Sequence, residues 1–167
     1  DINVNKVSIL GSANEKYERG EISTAQFIES LKKELDLDIT DEEVLKGWNK
    51  IFVGENLGIR DNIGRLVSKY PLYIFSNTSI SHTEFWRNEY SEILKNFKKI
   101  FTSFELGMRK PEKESFLEVC SQIDVLPEKI LFFDDTEENI VAASELGMNA
   151  VKVDSIQDIN KTIDILC

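Results

Sequence analysis

Four short apolar segments in the second half of the chain constrain the fold more than any other feature. They are LYIF at 72–75, KIFTS at 99–103, ILFF at 130–133 and AVKV at 150–153, and stretches with helical patterning separate them. Strands that are apolar on both faces and alternate with helices form parallel sheets with helices packed on both sides. The pattern therefore predicts an α/β fold with a Rossmann-like parallel sheet flanked by helices.

The first part of the chain carries helical signals instead. Ser23 with Gln26, and Thr40 with Glu43, have the spacing of helix capping boxes, and apolar residues follow each pair at helical intervals. A further helix is predicted from about residue 60 to 70. We therefore expect two domains, a small helical-bundle cap with its linkers at 1–69 and a Rossmann-like catalytic core at 70–167.

Composition excludes several classes of function. The 167 residues include 30 acidic and 20 basic side chains, and the resulting net charge of −10 disfavours nucleic-acid binding. No apolar stretch approaches the roughly 18 residues that a membrane span requires. Two cysteines, Cys120 and Cys167, cannot form a disulfide framework, so we expect a reduced, cytoplasmic setting. The composition leaves the oligomeric state open.

Polar side chains follow three of the predicted strands, where parallel sheets bind ligands. They are Ser76 and Asn77 after the first strand, Lys110 in the turn region after the second, and Asp134, Asp135 and Asn139 after the third. Carboxylate oxygens suit a hard cation such as Mg²⁺, while a hydroxyl and an ammonium group suit phosphate oxygens. Together they predict a phosphoryl-transfer site at one edge of the sheet.

Each of these residues also has a purely structural interpretation. Ser76 could be a turn residue that ends a strand, and Lys110 could be a solvated lysine at the start of the helix that Pro111 opens. The pair Asp134 and Asp135 could cap the helix that follows. The three groups in this order favour the functional interpretation.

Four local motifs resemble the haloacid dehalogenase-like hydrolases, in the branch with a small helical cap. They are YERGEIS at 17–23, FSNT at 75–78, LGMRKP at 106–111 and FFDDTEEN at 132–139. Their order and spacing are more specific than any one of them. Within the family, the chain resembles the bacterial alpha-D-glucose-1-phosphate phosphatases.

The resemblance implies catalytic and metal-binding roles by position. Ser76 would donate a hydrogen bond to the transferring phosphoryl group, and Lys110 would steady the nucleophile and the phosphate. Asp134 would be a supporting carboxylate of the catalytic set. Asp135 would bind Mg²⁺, with Asn139 as a weaker or water-mediated metal ligand.

The resemblance also implies residues that contact the substrate. Ser76 and Lys110 would bind its phosphate, and Asn77 would add a hydrogen bond nearby. Arg19 lies in the cap segment where family members meet their substrates, although Gly20 and Ser23 alone explain that segment as a turn between helices.

The nucleophilic aspartate that the resemblance implies has no counterpart at the end of a predicted strand in residues 1–70. Asp1 matches the acidic residue shortly after that nucleophile. We therefore expect the nucleophile upstream of residue 1, the first strand missing from the given chain, and the chain inactive by itself.

The function expected from the resemblance is Mg²⁺-dependent hydrolysis of a small phosphomonoester, such as the sugar phosphate glucose 1-phosphate, through a phosphoaspartate. Two alternatives stay open. One is a halide-releasing hydrolase of the same fold, against which the acidic pair argues because carbon–halogen displacement needs no metal. The other is a non-catalytic binding or regulatory member. The expected partner is a small phosphorylated metabolite, with no nucleic acid and no membrane.

Overall fold

Helices and short strands alternate along the chain in the computed structural model, which describes residues 11–166. The helices are α1 Gly11–Glu18, α2 Thr24–Leu35, α3 Asp41–Asn49, α4 Ile59–Val67, α5 Ile80–Glu89, α6 Ser91–Leu94, α7 Ser103–Leu106, α8 Lys113–Ile123, α9 Glu137–Glu145 and α10 Ile156–Leu166. The strands are β1 Tyr73–Ser76, β2 Lys99–Thr102, β3 Leu131–Asp134 and β4 Asn149–Lys152. A 3₁₀ turn at Pro127–Lys129 precedes β3.

The strands form two two-stranded sheets within the described residues, one from β1 and β2 and one from β3 and β4. The β3–β4 pair is parallel, and its register runs from Leu131 opposite Asn149 to Asp134 opposite Lys152. The prediction of an α/β fold is confirmed, and each of the four predicted strands is present within one residue of its expected position. The predicted absence of a first strand concerns residues outside those described.

Both predicted capping boxes are present. The Ser23 hydroxyl accepts a hydrogen bond from the Gln26 backbone N–H at 3.3 Å, and the Gln26 side chain accepts one from the Ser23 N–H at 2.8 Å. Thr40 and Glu43 make the same reciprocal pair at 3.3 and 2.9 Å. These bonds satisfy N–H groups that a helix N-terminus leaves without partners, which is why α2 and α3 begin where they do.

The described residues fall into two compact units, each built from several segments. The first contains the described residues up to Val53, together with Asn77–Ser91 and Thr102–Arg109, and the second contains Gly54–Ser76, Glu92–Phe101 and the described residues from Lys110 onward. The predicted domain boundary between residues 69 and 70 instead divides the chain into two continuous segments, and it stays a prediction.

Aromatic packing organises the core of the first unit. The ring of Phe27 stacks on Tyr17 with centroids 4.4 Å apart and meets Trp48 edge-on at 4.8 Å. Phe27 and Tyr17 are each only 1% exposed, and Val44 of α3 joins the same cluster. Apolar residues at helical spacing on α1, α2 and α3 thus bury one shared face.

The core of the second unit lies between the sheets and two helices. Phe116 of α8 and Ala143 of α9 are 1% and 0% exposed, and Phe75 of β1 and Phe132 of β3 pack against their cluster. This unit contains most of the predicted site residues. No helix described between residues 11 and 166 is long and apolar enough to cross a membrane.

Candidate active site

A buried ion pair joins two of the predicted site residues. The Lys110 Nζ atom donates to the Asp134 Oδ2 atom at 2.6 Å and to the backbone carbonyl oxygen of Phe75 at 2.8 Å. The side chains of Lys110 and Asp134 are 9% and 5% exposed. The contact connects the ends of β1 and β3, so it places the lysine ammonium at the strand edge that the sequence pattern predicted. Ser76 follows Phe75 directly and ends β1.

Asp134 is fixed by donors on both of its carboxylate oxygens. Besides the lysine on Oδ2, its Oδ1 atom accepts from the Thr136 backbone N–H and from the Asn139 Nδ2 atom, both at 2.9 Å. Burial raises the pKa of Asp134, but the charge of Lys110 and these hydrogen bonds outweigh burial and hold the pKa below its ordinary value. Asp134 is therefore an ionised anchor for Lys110 and Asn139.

Two of the structural interpretations fail at this site. Lys110 is 7% exposed, so it is not a solvated lysine, and α8 begins at Lys113 with Glu112 as its N-cap. The N-cap of α9 is Thr136, so neither aspartate caps that helix. Burying a lysine costs free energy unless an opposite charge compensates it, and Asp134 supplies that charge here.

Asp135 is the exposed carboxylate of the site. It directly follows Asp134, and the Thr136 hydroxyl donates to its Oδ1 atom at 3.5 Å. Asn139 is 5% exposed and gives its amide N–H to Asp134, so its amide oxygen is the side-chain atom that could serve as a metal ligand. No group of three or more histidine, cysteine or acidic side chains with metal-binding geometry occurs among residues 11–166.

Asn77 and Arg19 belong to the first unit, whereas the other predicted site residues belong to the second. Asn77 is half-buried and follows Ser76 in the chain. Arg19 is half-buried and pairs with Glu15, whose Oε2 atom lies 3.6 Å from the Arg19 Nη1 atom. The substrate-binding roles of both residues stay predictions, as do the roles of the remaining site residues.

A serine that sequence reasoning missed holds the loop after β1. The Ser103 hydroxyl donates to the Thr78 carbonyl oxygen at 3.0 Å and accepts from the Thr78 N–H at 2.9 Å. Ser103 and Thr78 are 0% and 4% exposed, and the Trp86 Nε1 atom donates to the Thr78 hydroxyl at 3.4 Å. The clamp fixes the backbone immediately after Asn77. A pair 25 residues apart leaves no local signal in the sequence.

A second missed contact is an ion pair beside Lys110 in the chain. The Arg109 guanidinium donates from Nε to the Glu18 Oε2 atom at 2.9 Å, and its Nη2 atom lies 2.9 Å from the same oxygen. The two side chains are 21% and 15% exposed. Arg109 adjoins the predicted lysine and Glu18 adjoins Arg19, so both lie in motifs noted from the sequence, but nothing in the sequence paired them.

The family is settled by a match over most of the chain. Residues 8–147 match the model of the haloacid dehalogenase-like hydrolases. The chain belongs to this family. The resemblance inferred from the four motifs is confirmed, and so is the hydrolase class that it implied.

Curated relatives and solved structures of this family are similar along most of the chain. A D-ribitol-5-phosphate phosphatase of Bacteroides thetaiotaomicron is 26% identical over 157 residues, which cover 91% of this chain and 76% of that protein. A HAD family enzyme of the same species, crystallised as the wild-type protein with magnesium and inorganic phosphate, is 28% identical with a TM-score of 0.73. That alignment covers 82% of this chain and 72% of the solved one.

The fold is matched over almost the whole chain by a predicted HAD-like family hydrolase from Porphyromonas gingivalis. Its TM-score is 0.84 at 22% identity, and the alignment covers 99% of this chain and 84% of that one. This likeness concerns the fold alone. The phosphatase relative supports the predicted enzyme class, a phosphoric monoester hydrolase, whereas the specific similarity to glucose-1-phosphate phosphatases is not confirmed.

Proposed function

We propose that the protein is a Mg²⁺-dependent phosphatase that hydrolyses a small phosphomonoester, with a sugar or polyol phosphate as the substrate class. The observation that carries the proposal is the buried Lys110–Asp134 pair at the end of β1 and β3, with Ser76 and the exposed Asp135 adjoining it in the chain. A fixed cation, with a hydroxyl and an exposed carboxylate adjoining its partners in the chain, supports this proposal. Phosphoryl transfer requires that combination of charge and hydrogen-bond donors.

The donor chemistry of the site suits a magnesium ion. Mg²⁺ prefers oxygen ligands, keeps several waters, and is commonly held by one or two carboxylates together with substrate phosphate. Asp135 offers an exposed carboxylate, and Asn139 offers an amide oxygen because its N–H groups face Asp134. Asp134 already accepts three hydrogen bonds, which suits a supporting role better than direct coordination. When bound, the ion would neutralise charge on the phosphoryl oxygens.

The chain's own residues would bind and orient the phosphoryl group. The Lys110 ammonium, held in place by Asp134 and the Phe75 carbonyl, would attract the phosphoryl oxygens without having to reorganise during the reaction. The Ser76 hydroxyl would donate to one of these oxygens. In this proposal Ser76 and Lys110 bind the phosphoryl group and stabilise its negative charge.

The proposed substrate class rests on similarity to known phosphatases. The phosphatase relative acts on D-ribitol 5-phosphate, as its name states, and the resemblance read from the sequence suggested glucose 1-phosphate. Both are small, highly hydroxylated phosphomonoesters. A site that hydrogen-bonds a substrate hydroxyl rejects an analogue without that hydroxyl by about 10⁴–10⁵-fold, so relatives that differ in a few such contacts are expected to act on different substrates.

A substrate panel tests the proposal on the intact protein that carries this chain. Phosphate release is measured from glucose 1-phosphate, D-ribitol 5-phosphate and p-nitrophenyl phosphate, with Mg²⁺ or with excess EDTA, and chloride release from 2-chloropropionate is measured in parallel. We expect phosphate release that requires Mg²⁺ and is fastest with one of the polyhydroxy substrates. Chloride release that persists in EDTA would favour the halide-releasing alternative, and no turnover in any reaction would favour a non-catalytic member.

A further inference from the structure

The Lys110 ammonium lies over two aromatic rings. The Lys110 Nζ atom is 5.1 Å from the ring centroid of Phe75 and 5.5 Å from that of Phe132. A cation within about 6 Å of a ring face is attracted by the negative potential of that face. The lysine therefore has two aromatic neighbours in addition to its carboxylate and carbonyl acceptors.

A third ring, that of Phe116, packs against both of these rings. Phe116 meets Phe75 edge-on with centroids 5.5 Å apart and an interplanar angle of 88°, and it meets Phe132 at 5.4 Å and 83°. Phe116 is 1% exposed, so it is fixed in the core of its unit. Edge-to-face contacts at these distances are a preferred geometry for aromatic pairs. Phe116 thus orients the two rings that contact the ammonium.

The ring contacts restrict the position of the Lys110 ammonium further than its hydrogen bonds alone do. A buried lysine on a flexible four-carbon stem can swing its ammonium between acceptors, and burial penalises its charge. Asp134 and the Phe75 carbonyl bind the ammonium at 2.6 and 2.8 Å, while the two ring contacts restrict where else it can lie. Phe75 directly precedes the last residue of β1, and Phe132 lies two residues before the last residue of β3, so the strands that deliver Ser76 and Asp134 also deliver the rings.

We propose that Phe75 and Phe132 are positioning residues that hold the Lys110 ammonium in place through their ring faces, beyond their role as core side chains. This inference deepens the proposed function, on which its catalytic consequence rests. Because the two rings contact the lysine, they would act through Lys110. A leucine at either position would fill much of the space but would lack the aromatic face.

The first test locates the lysine without any activity. A ¹³C–¹H spectrum is recorded on protein labelled at the lysine ε-carbon, and the Lys110 signal is identified by its loss in Lys110→Arg. Ring currents should displace this signal from the main group of lysine signals. In Phe132→Leu it should move back toward that group. A Lys110 signal inside the main group in the wild-type protein would overturn the proposal.

Phe101→Leu is the matched control. Phe101 is a phenylalanine of the same unit that is 2% exposed, and its ring lies 4.8 Å from the Nζ atom of a different lysine, Lys99. The same substitution there should destabilise the protein by core truncation and should move the Lys99 signal instead. The Lys110 signal could also shift as much in Phe101→Leu as in Phe132→Leu. That result would mean that loss of core packing in general, and not loss of the ring contact, moves the lysine.

The second test measures the catalytic consequence with a double-mutant cycle. Phe132→Leu should lower kcat/KM about 2–30-fold in the wild-type background, the range expected for one cation–π contact. In the Lys110→Met background the same change should have almost no effect, because the cation is gone. Equal losses in both backgrounds would overturn the positioning role. If the wild-type protein hydrolyses no phosphomonoester, the proposed function fails, while the spectra still decide whether the rings hold the lysine.

Discussion

Lys110 and Asp134 form a buried ion pair in which each charge compensates the other. Both side chains are less than a tenth exposed, and their nitrogen and oxygen atoms are 2.6 Å apart. Removing one partner of such a pair leaves the other desolvated and uncompensated, which costs more than the pair itself contributes. Single substitutions here should therefore act on stability and on the Asp134 carboxylate together.

Lys110→Met should destabilise the protein by about 3–5 kcal/mol, the usual cost of breaking a buried pair. It should also raise the pKa of Asp134, because the lysine is the strongest influence that lowers it. Urea unfolding measures the first effect and a ¹³C carboxyl titration the second. Lys113→Met, which breaks an exposed pair with Glu145, serves as the control and should change stability little. An unmoved Asp134 pKa would contradict the assigned coupling.

The proximity of Lys110 and Asp134 could be predicted from topology. Ser76, Lys110 and Asp134 each follow an apolar segment, and parallel strands end at the same edge. The ring faces on Lys110 and the clamp of Ser103 on Thr78 could not be predicted in this way. They depend on side-chain directions across 22 to 35 residues of sequence, and local patterns contain no such information.

At the scale of elements, local signals located most boundaries. Ser23 and Thr40 start α2 and α3 as their capping boxes indicate. Between β1 and β2 the chain forms two helices, α5 and α6, at Ile80–Glu89 and Ser91–Leu94. The Ser79 hydroxyl accepts a hydrogen bond from the His82 N–H and caps α5, so this helix begins at Ile80. The break between α5 and α6 lies at Tyr90, whose backbone departs from helical geometry.

The loop after β1 should depend on Ser103. Ser103→Ala removes the hydroxyl and leaves the buried Thr78 N–H and C=O groups without that partner, which should cost about 1–3 kcal/mol. The proposed phosphatase activity should also fall, since Ser76 and Asn77 immediately precede the loosened residue. Chemical denaturation and kcat/KM measure the two effects. Ser30→Ala, at an exposed helical hydroxyl, is the control, and an equal loss there would contradict a specific clamp.

His82 should make the stability depend on pH. Its ring stacks on Trp48 with centroids 4.7 Å apart, meets Phe52 edge-on, and its Nε2 atom donates to the Trp48 carbonyl at 3.2 Å. Burial lowers the pKa of His82, although the Trp48 carbonyl partly opposes this. The folded state therefore takes up a proton less readily than the unfolded state, whose histidine titrates near 6.5. Stability should be complete above that pH and decline as pH falls from there through the lowered pKa.

The measurement is the free energy of unfolding between about pH 7.5 and 5.5, a window above the ordinary carboxyl pKa range. His82 is the single histidine of the chain, so His82→Gln should flatten the decline. A wild-type profile as flat as that of the variant would show that the histidine is not desolvated. A profile that rises toward low pH would mean that protonation stabilises its stacked position.

At the scale of the whole molecule, the acidic composition opposes binding of the anionic substrate that we propose. The net charge of −10 repels a phosphomonoester at long range, so binding must come from local groups. The Lys110 ammonium, which Asp134 orients, and the divalent cation proposed at Asp135 would supply the positive charge that attracts the phosphate locally. Added salt screens long-range repulsion, and the buried pair is screened much less. The proposed function therefore depends on a few residues at one strand edge.

The most direct test of that claim is the Mg²⁺ dependence of phosphate release by the wild-type protein, Lys110→Met and Asp135→Asn, measured on the best substrate of the panel. The account predicts that Asp135→Asn requires at least about tenfold more Mg²⁺ for half-maximal activity, consistent with loss of a coordinating carboxylate. Lys110→Met should lower kcat by about 10²-fold or more, even at saturating Mg²⁺, through lost charge stabilisation. Wild-type Mg²⁺ dependence in Asp135→Asn, together with wild-type kcat in Lys110→Met, would contradict the account.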